Sequence, residues 1–342
     1  MEMILVTGGL GYIGSHTTVE LLKSGERVLV VDDLSNSSIQ VLKGIERASG
    51  KVPLFEKTCV SDRMAVKSLF QKYRELKGII HFAASKAVGE SVERPLQYYD
   101  NNLTSLIYLL EEVENIDRPF HFIFSSSCTV YGDTEQQPIT ESTPLKKAAS
   151  PYGNTKQIGE EILLDATKSN SDLSVIVLRY FNPIGAHESL EIGELPMNKP
   201  QNLVPFITQT AAGLHAKLTV YGDDYPTWDG TCVRDYIHVV DLAKAHVMAM
   251  NRLMEGKNQL SWEVFNLGTG KGNTVLEVIA GFERVSGRKL HYEIGPRREG
   301  DVVEAYADVS KAKEVLGWTA EMNMEQGLDS AWKWEKKIRG LD

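Results

Sequence analysis

Short, nearly continuous apolar runs alternate with amphipathic stretches through the first half of the chain. The runs are Ile4–Thr7, Arg27–Asp32, Gly78–Phe82, His121–Ser125 and Ser174–Leu178. They are rich in Val, Ile and Phe and lack the polar alternation of a strand with one wet face, so they read as strands buried on both faces. Between them, Ser15–Lys23, Met64–Tyr73, Leu96–Glu112 and Tyr152–Thr167 carry helical patterns. Strand and helix in alternation predict an α/β fold, a Rossmann-type doubly wound parallel sheet.

After Asn182 the pattern changes. Residues 186–203 read as a long loop, followed by a helix at Val204–Leu214, a strand at Leu218–Tyr221 and a turn-rich stretch from Asp223 to Thr231. Another helix begins at Val239, and a strand at Val264–Leu267 precedes a helix from Thr274 to Val285. The expectation is a dinucleotide-binding domain over residues 1–184 and a smaller mixed α/β substrate domain over 185–342, closely packed, with an interleaved chain and a soft boundary. There is no internal repeat and no low-complexity segment.

The first strand runs into Gly8-Gly9-Leu10-Gly11-Tyr12-Ile13-Gly14, and a helix follows from Ser15. Glycines at 8, 11 and 14 let the backbone turn tightly and admit a phosphate without a side chain in the way. The helix N-terminus then offers N–H groups and a positive dipole end to a pyrophosphate. The same pattern occurs in ordinary strand–turn–helix units, so its context matters. The second strand ends in Asp32, 18 residues after Gly14. A carboxylate there accepts from both ribose hydroxyls and repels a 2′-phosphate, which favours NAD over NADP.

Ser150-Pro151-Tyr152-Gly153-Asn154-Thr155-Lys156 opens a later helix, with Ser150 suited to cap it and Pro151 to its first position. Tyr152 and Lys156, four apart, share a face. A nearby ammonium stabilises phenolate, so Tyr152 becomes a candidate base for a sugar hydroxyl while hydride leaves the same carbon. The strand at His121–Phe124 ends in Ser125-Ser126-Ser127, where a serine hydroxyl can bridge substrate and Tyr152. At least one of the three serines is expected simply to satisfy backbone groups.

Charge narrows the ligand class. The 342 residues carry 37 Lys and Arg against 46 Asp and Glu, a net charge of −9. Such a surface disfavours nucleic acid and anionic lipid but allows a nucleotide held by a few local cations. Cys59, Cys128 and Cys232 are far apart and odd in number, so neither a metal site nor a disulfide framework is expected. The free thiols, the absence of a signal-like N-terminus and the lack of an apolar span make the expected location cytoplasmic.

Together these segments resemble the extended short-chain dehydrogenase/reductase superfamily and, within it, the UDP-glucose 4-epimerase (UDP-galactose 4-epimerase) family. The resembling blocks are VTGGLGYIGSHT from Val6, HFAASKAVGESV from His81, YYDNN from Tyr98, FSSSCTVYGD from Phe124, SPYGNTK from Ser150, RYFNPIGAH from Arg179, YGDDYPTWDGTCVRDYIHV from Tyr221, FNLGTGKGNTV from Phe265 and PRREGD from Pro296. The resemblance implies tightly held NAD and a transient oxidation at C4 of a UDP-hexose, with Ser127, Tyr152 and Lys156 as catalytic residues. It implies cofactor contacts at Gly8, Tyr12, Ile13, Asp32, Asn36, Lys86, Asn101 and Tyr180. It implies UDP contacts at Asn182, Asn202, Leu203, Tyr221, Arg234, Arg298 and Asp301. A homodimer is also implied, with the helices at Leu96–Glu112 and Tyr152–Thr167 as its interface.

Two positions depart from the usual pattern. Cys59 stands where many relatives have an adenine-binding Asp; a thiol is a poor acceptor, which shifts the contact to the backbone at Val60 and weakens the expected grip on NAD. Ala305 stands where some relatives have a bulky Tyr beside the sugar's 2-substituent, and it leaves room for an acetamido group, so UDP-GlcNAc and UDP-GalNAc become candidate substrates. The competing readings are a nucleotide-sugar 4,6-dehydratase, a UDP-glucuronate decarboxylase, or a non-catalytic NAD-binding regulator. Dehydratases of this superfamily place an Asp-Glu pair where this chain has Cys128-Thr129, and neither residue is a strong acid or base.

Overall fold

The computed structural model describes residues 2–298 and 300–341; Glu299 of the PRREGD block lies outside the described residues. The elements begin with β1 (Met3–Thr7), α1 (Tyr12–Lys23), β2 (Val28–Asp32), α2 (Gln40–Ser49), β3 (Leu54–Lys57), α3 (Arg63–Lys72), β4 (Leu76–His81) and α4 (Val88–Glu93). They continue through α5 (Pro95–Val113), β5 (Phe120–Ser127), α6 (Pro151–Ser169), β6 (Leu173–Tyr180), β7 (Asn182–Ile184), α7 (Leu203–Ala211), β8 (Leu218–Tyr221) and β9 (Val233–His238). The last are α8 (Val239–Met254), β10 (Trp262–Leu267), β11 (Gly272–Thr274), α9 (Val275–Ser286), β12 (Tyr292–Gly295), β13 (Glu304–Ala305) and α10 (Met324–Arg339).

The large sheet has seven strands in the order β10-β6-β5-β4-β1-β2-β3. The order reverses at β1, which pairs in parallel with β2 on one side and β4 on the other. In such a sheet ligands bind beyond the carboxyl ends of the strands at the reversal. Thr7 lies in register with both Val31 and His81 there, so the glycine loop after β1 and the segment after β4 open at the same place. β1 and β2 are buried along their whole length, as their unbroken apolar sequences require. β3 is the edge strand, with Leu54 43% exposed. It therefore lacks the continuous apolar run that marks the inner strands. β10 closes the other edge; its sequence predicted a strand but not its membership of this sheet.

One core joins Leu5, Leu29, Ile79, Phe122 and Val177 of the strands to Val66 and Leu69 of α3, Leu106 and Leu109 of α5 and Leu163 of α6. The site-bearing helix α6 starts where its sequence says it should. Ser150 Oγ accepts from the Gly153 N–H at 3.1 Å and Pro151 takes the first turn.

The chain forms two compact units, 1–132 with 144–179 and 243–265, and 133–143 with 180–242 and 266–342. Residues 243–265, C-terminal in the chain, thus belong with the first unit. In the second unit β9 pairs with β11 antiparallel and with β7 and β13 in parallel. Beside it β8 pairs with β12. Ile207 of α7, Phe282 of α9 and Leu328 of α10 pack on Tyr236 and Val220 in its core. Fully buried Asp235 on β9 accepts from the N–H groups of Thr269, Gly270 and Ala307 and from the Thr269 hydroxyl. This carboxylate fixes the backbone that carries its neighbour, Arg234.

Candidate active site

In the first unit the glycine loop has the geometry its sequence predicts. Gly8 has φ +64°, and a Cβ there would lie 2.8 Å from the Ala83 backbone nitrogen. A Cβ on Gly14 would meet the Gly8 carbonyl oxygen. Gly11 is the N-cap of α1, and no side chain caps the helix, so its first turn, at Tyr12 and Ile13, opens onto the loop as a pyrophosphate requires. Asp32, at the end of β2, accepts from Leu10 N–H at 3.0 Å, Leu34 N–H at 3.0 Å and Ser37 Oγ at 2.7 Å. These bonds orient the carboxylate, and its remaining lone pairs suit a ribose diol. Asn36 is exposed on the loop that follows. Beyond β3 the exposed Cys59 thiol lies 3.0 Å from Ser61 Oγ, and Val60 is buried.

Lys86 is exposed after β4, and Asn101 on α5 donates to Ser85 Oγ at 3.3 Å. The neighbouring Asn102 has a role that the sequence reading missed. Its amide accepts from Ser85 N–H at 2.8 Å and donates to Ser85 O and to Thr155 Oγ1, both at 3.0 Å. It thereby ties the segment after β4 to the turn of α6 that carries Tyr152 and Lys156. The only sequence signal was the doublet Asn101-Asn102.

Tyr152, Lys156 and Ser127 are all buried. The Lys156 ammonium donates to the Ser125 carbonyl at 2.7 Å and lies 4.8 Å from the Phe124 ring centroid and 5.9 Å from that of Tyr152. The shared helix face predicted from the spacing is real. Burial pushes Lys156 down to about 8, against the attraction of Glu160. His81, at the end of β4, is pushed down to about 3 by burial and by the nearby Lys156 charge, so it is neutral. The three serines divide their work. Ser125 Oγ pairs with His246 Nε2 at 3.2 Å, Ser126 Oγ donates to Glu160 at 2.5 Å, and Ser127 Oγ accepts from Thr129 N–H at 3.3 Å. Cys128–Tyr131 then forms a short 3-10 helix with no acidic residue.

The second unit gathers the predicted UDP contacts around β9. Asp301 binds Arg298 through both oxygens, at 2.8 and 3.1 Å, and lies 3.5 Å from Arg234. Arg298 also sits 5.8 Å from the centroid of Tyr221, which ends β8 and is 46% exposed. Ala305 on β13 is buried and in register with Arg234. Asn182 opens β7 in register with Tyr236 of β9. Asn202 precedes α7 as its N-cap, donates to Glu194 at 3.2 Å, and is followed by Leu203. Tyr180, half-buried, is the last residue of β6. One carboxylate thus holds two guanidiniums near each other, a net positive arrangement suited to a diphosphate.

A family model described as GDP-mannose 4,6 dehydratase matches residues 5–331. A UDP-glucose 4-epimerase of Bacillus subtilis is 49% identical over 97% of this chain and 96% of its own length. A solved UDP-glucose-4-epimerase from Stenotrophomonas maltophila, with bound NAD and formylated UDP-arabinopyranose, superposes with a TM-score of 0.94 at 44% identity, covering 99% of each chain. A UDP-glucose 4-epimerase from Bifidobacterium longum in complex with NAD+ and UDP gives a TM-score of 0.93 at 44% identity, covering 98% of this chain and 99% of that one.

The buried ammonium has a consequence for stability. At neutral pH Lys156 is charged both in the folded, cofactor-free protein and in the unfolded chain, but only the folded state buries that charge. The penalty is full below about 8 and fades as pH rises toward the ordinary lysine value of 10.5. That gap corresponds to about 3 kcal/mol. Lys156→Met is therefore expected to stabilise the cofactor-free protein at pH 7 by about 1–3 kcal/mol, a gain that shrinks toward pH 10. Chemical denaturation at both pH values checks it; a destabilised variant at pH 7 contradicts it.

Proposed function

We infer, for a chain that belongs to the UDP-glucose 4-epimerase family, how its own residues divide the work of reversible, NAD-dependent 4-epimerisation of UDP-galactose and UDP-glucose. The observation that carries the assignment is the buried Lys156 ammonium beside Tyr152 on α6, at the strand ends where the glycine loop opens. The loop at Gly8, Gly11 and Gly14, the uncapped start of α1 and the oriented Asp32 fit NAD. NAD held there would supply the hydride acceptor for C4 and then the donor for its return.

Tyr152 takes the proton of the sugar 4-hydroxyl, in line with its buried position, and Ser127 bridges the same oxygen. Lys156 favours the phenolate of Tyr152 through its charge. Arg234 and Arg298 hold the diphosphate, with Asp301 orienting both, and Tyr221 offers an aromatic face to uracil. Firm anchoring at UDP with few fixed contacts to the sugar allows the 4-keto sugar to turn over before hydride returns to the other face. Dehydration requires an acid and a base at the neighbouring carbons, and Cys128-Thr129 supply neither.

Three narrower readings go with this one. Ala305 leaves space for a 2-acetamido group, so the enzyme also accepts UDP-GlcNAc and UDP-GalNAc. α5 exposes Leu96 at 81% and Ile107 at 40%, and with α6 it pairs with a second copy to form a homodimer. Cys59, Cys128 and Cys232 form no disulfide, which accords with a cytoplasmic enzyme; among the described residues no helix is long and apolar enough to cross a membrane.

Tyr152→Phe should lower kcat by roughly 10²–10⁴-fold while the purified protein still carries NAD; turnover near the parent level would remove Tyr152 from its role. Ala305→Tyr should abolish conversion of the N-acetylated pair and spare UDP-galactose, and identical handling of both pairs by parent and variant contradicts the wider specificity. In sedimentation velocity the parent should run as a dimer and Leu96→Asp with a larger monomer fraction; a monomeric parent excludes the pairing.

A further inference from the structure

α6 carries Tyr152, Lys156 and Glu160 at intervals of four residues, so the stripe that begins with the candidate base continues one turn past the lysine. Glu160 is buried, with a side chain only 4% exposed. Its carboxylate accepts from Ser126 Oγ at 2.5 Å on β5, and Arg179 on β6 grips it through Nε at 3.0 Å and Nη2 at 2.5 Å. Arg179 also donates to the Tyr131 hydroxyl at 3.0 Å. Ser126 precedes Ser127, and Arg179 precedes Tyr180. One carboxylate therefore joins the helix that carries the base to the two strand ends beside it.

A buried ion pair contributes little net stability, and apolar residues of similar volume often serve as well. Its presence here asks for a second role. Near the Lys156 ammonium stand Tyr152 and Glu160 on α6, neutral His81 on β4, the Ser125 carbonyl and Phe124 ring on β5, and His246 on α8, which holds the Ser125 hydroxyl; the Arg179 cation lies behind Glu160 as its ion-pair partner. Among them Glu160 is the one carboxylate. We propose that Glu160 is a positioning residue of the epimerisation: it sets the acidity of Tyr152 through the charge of Lys156 and fixes Ser127 through Ser126.

The direction of the electrostatic effect is fixed. Burial drives Lys156 toward the amine and Glu160 opposes it. Without that anion Lys156 loses its proton at lower pH, and the charge that favours the phenolate of Tyr152 is lost with it, so the active window closes from the alkaline side. A merely structural residue would lower activity at every pH and leave the limbs in place.

The inference rests on Tyr152 and Lys156 acting as proposed above, and the test separates the two. In NAD-loaded protein, kcat with UDP-galactose is measured against pH. The Tyr152 phenolate is titrated separately by ultraviolet difference between each variant and its Tyr152→Phe counterpart. Glu160→Gln should move the alkaline limb down by about 1 pH unit. Glu160→Asp, which keeps the charge and shortens the reach, should lower kcat with both limbs in place. If Glu160→Gln leaves Arg179 unpaired and fails to fold, Glu160→Gln combined with Arg179→Gln removes both buried charges and should fold with the alkaline limb displaced in the same direction by less, because Arg179 partly offsets the carboxylate. An alkaline limb at its parent value in the folded variant overturns the inference and leaves the epimerase reading intact. A parent protein with no Tyr152-dependent titration overturns both.

Discussion

An ammonium in the interior of a sheet is the constraint around which the first unit is arranged. Lys156 cannot keep its charge there without a carbonyl to receive it, an aromatic face beside it and an anion within reach. Ser125, Phe124 and Glu160 supply these from β5 and α6. Burial also keeps the field of the ammonium from being screened by water, as the role proposed for it beside Tyr152 requires. Asn102 and the Glu160–Arg179 fork then hold α6 against the segment after β4 and the ends of β5 and β6.

The second unit solves the opposite electrostatic problem. Two guanidiniums side by side repel unless an anion lies with them, and Asp301 serves both while leaving net positive charge for a diphosphate. Asp235, one residue along β9 from Arg234, secures the backbone by accepting three N–H groups. Next to this charged group the small, buried Ala305 occupies the strand position in register with Arg234. Tight polar anchoring beside a small, neutral wall suits a ligand that must stay bound while one end of it turns.

Much of this was legible in the sequence, for reasons that differ by residue. The inner strands announced themselves because burial on both faces demands unbroken apolar runs. The edge strand β3 did not, since its half-exposed pattern reads as loop. The glycine loop was legible because sterics allow little else at Gly8 and Gly14. The Tyr152–Lys156 pair was legible from helical spacing together with the glycine motif ahead of it, and that same spacing reaches Glu160. Its partner Arg179 and the amide staple of Asn102 were not legible. Their roles depend on contacts across 19 residues, from Glu160 to Arg179, and 53 residues, from Asn102 to Thr155, of sequence. The grouping of residues 243–265 with the first unit was hidden likewise, because a strand's sequence carries its burial but not its neighbour.

The central claim is that C4 is oxidised and reduced again by one cofactor that stays with the protein. UDP-galactose carrying deuterium at C4 tests it directly, incubated in ordinary water with purified protein and no added NAD, and followed by NMR. The account predicts UDP-glucose of unchanged mass with the deuterium retained at C4. Product with the label washed out into solvent would contradict it, because the C4 hydrogen would then have left as a proton.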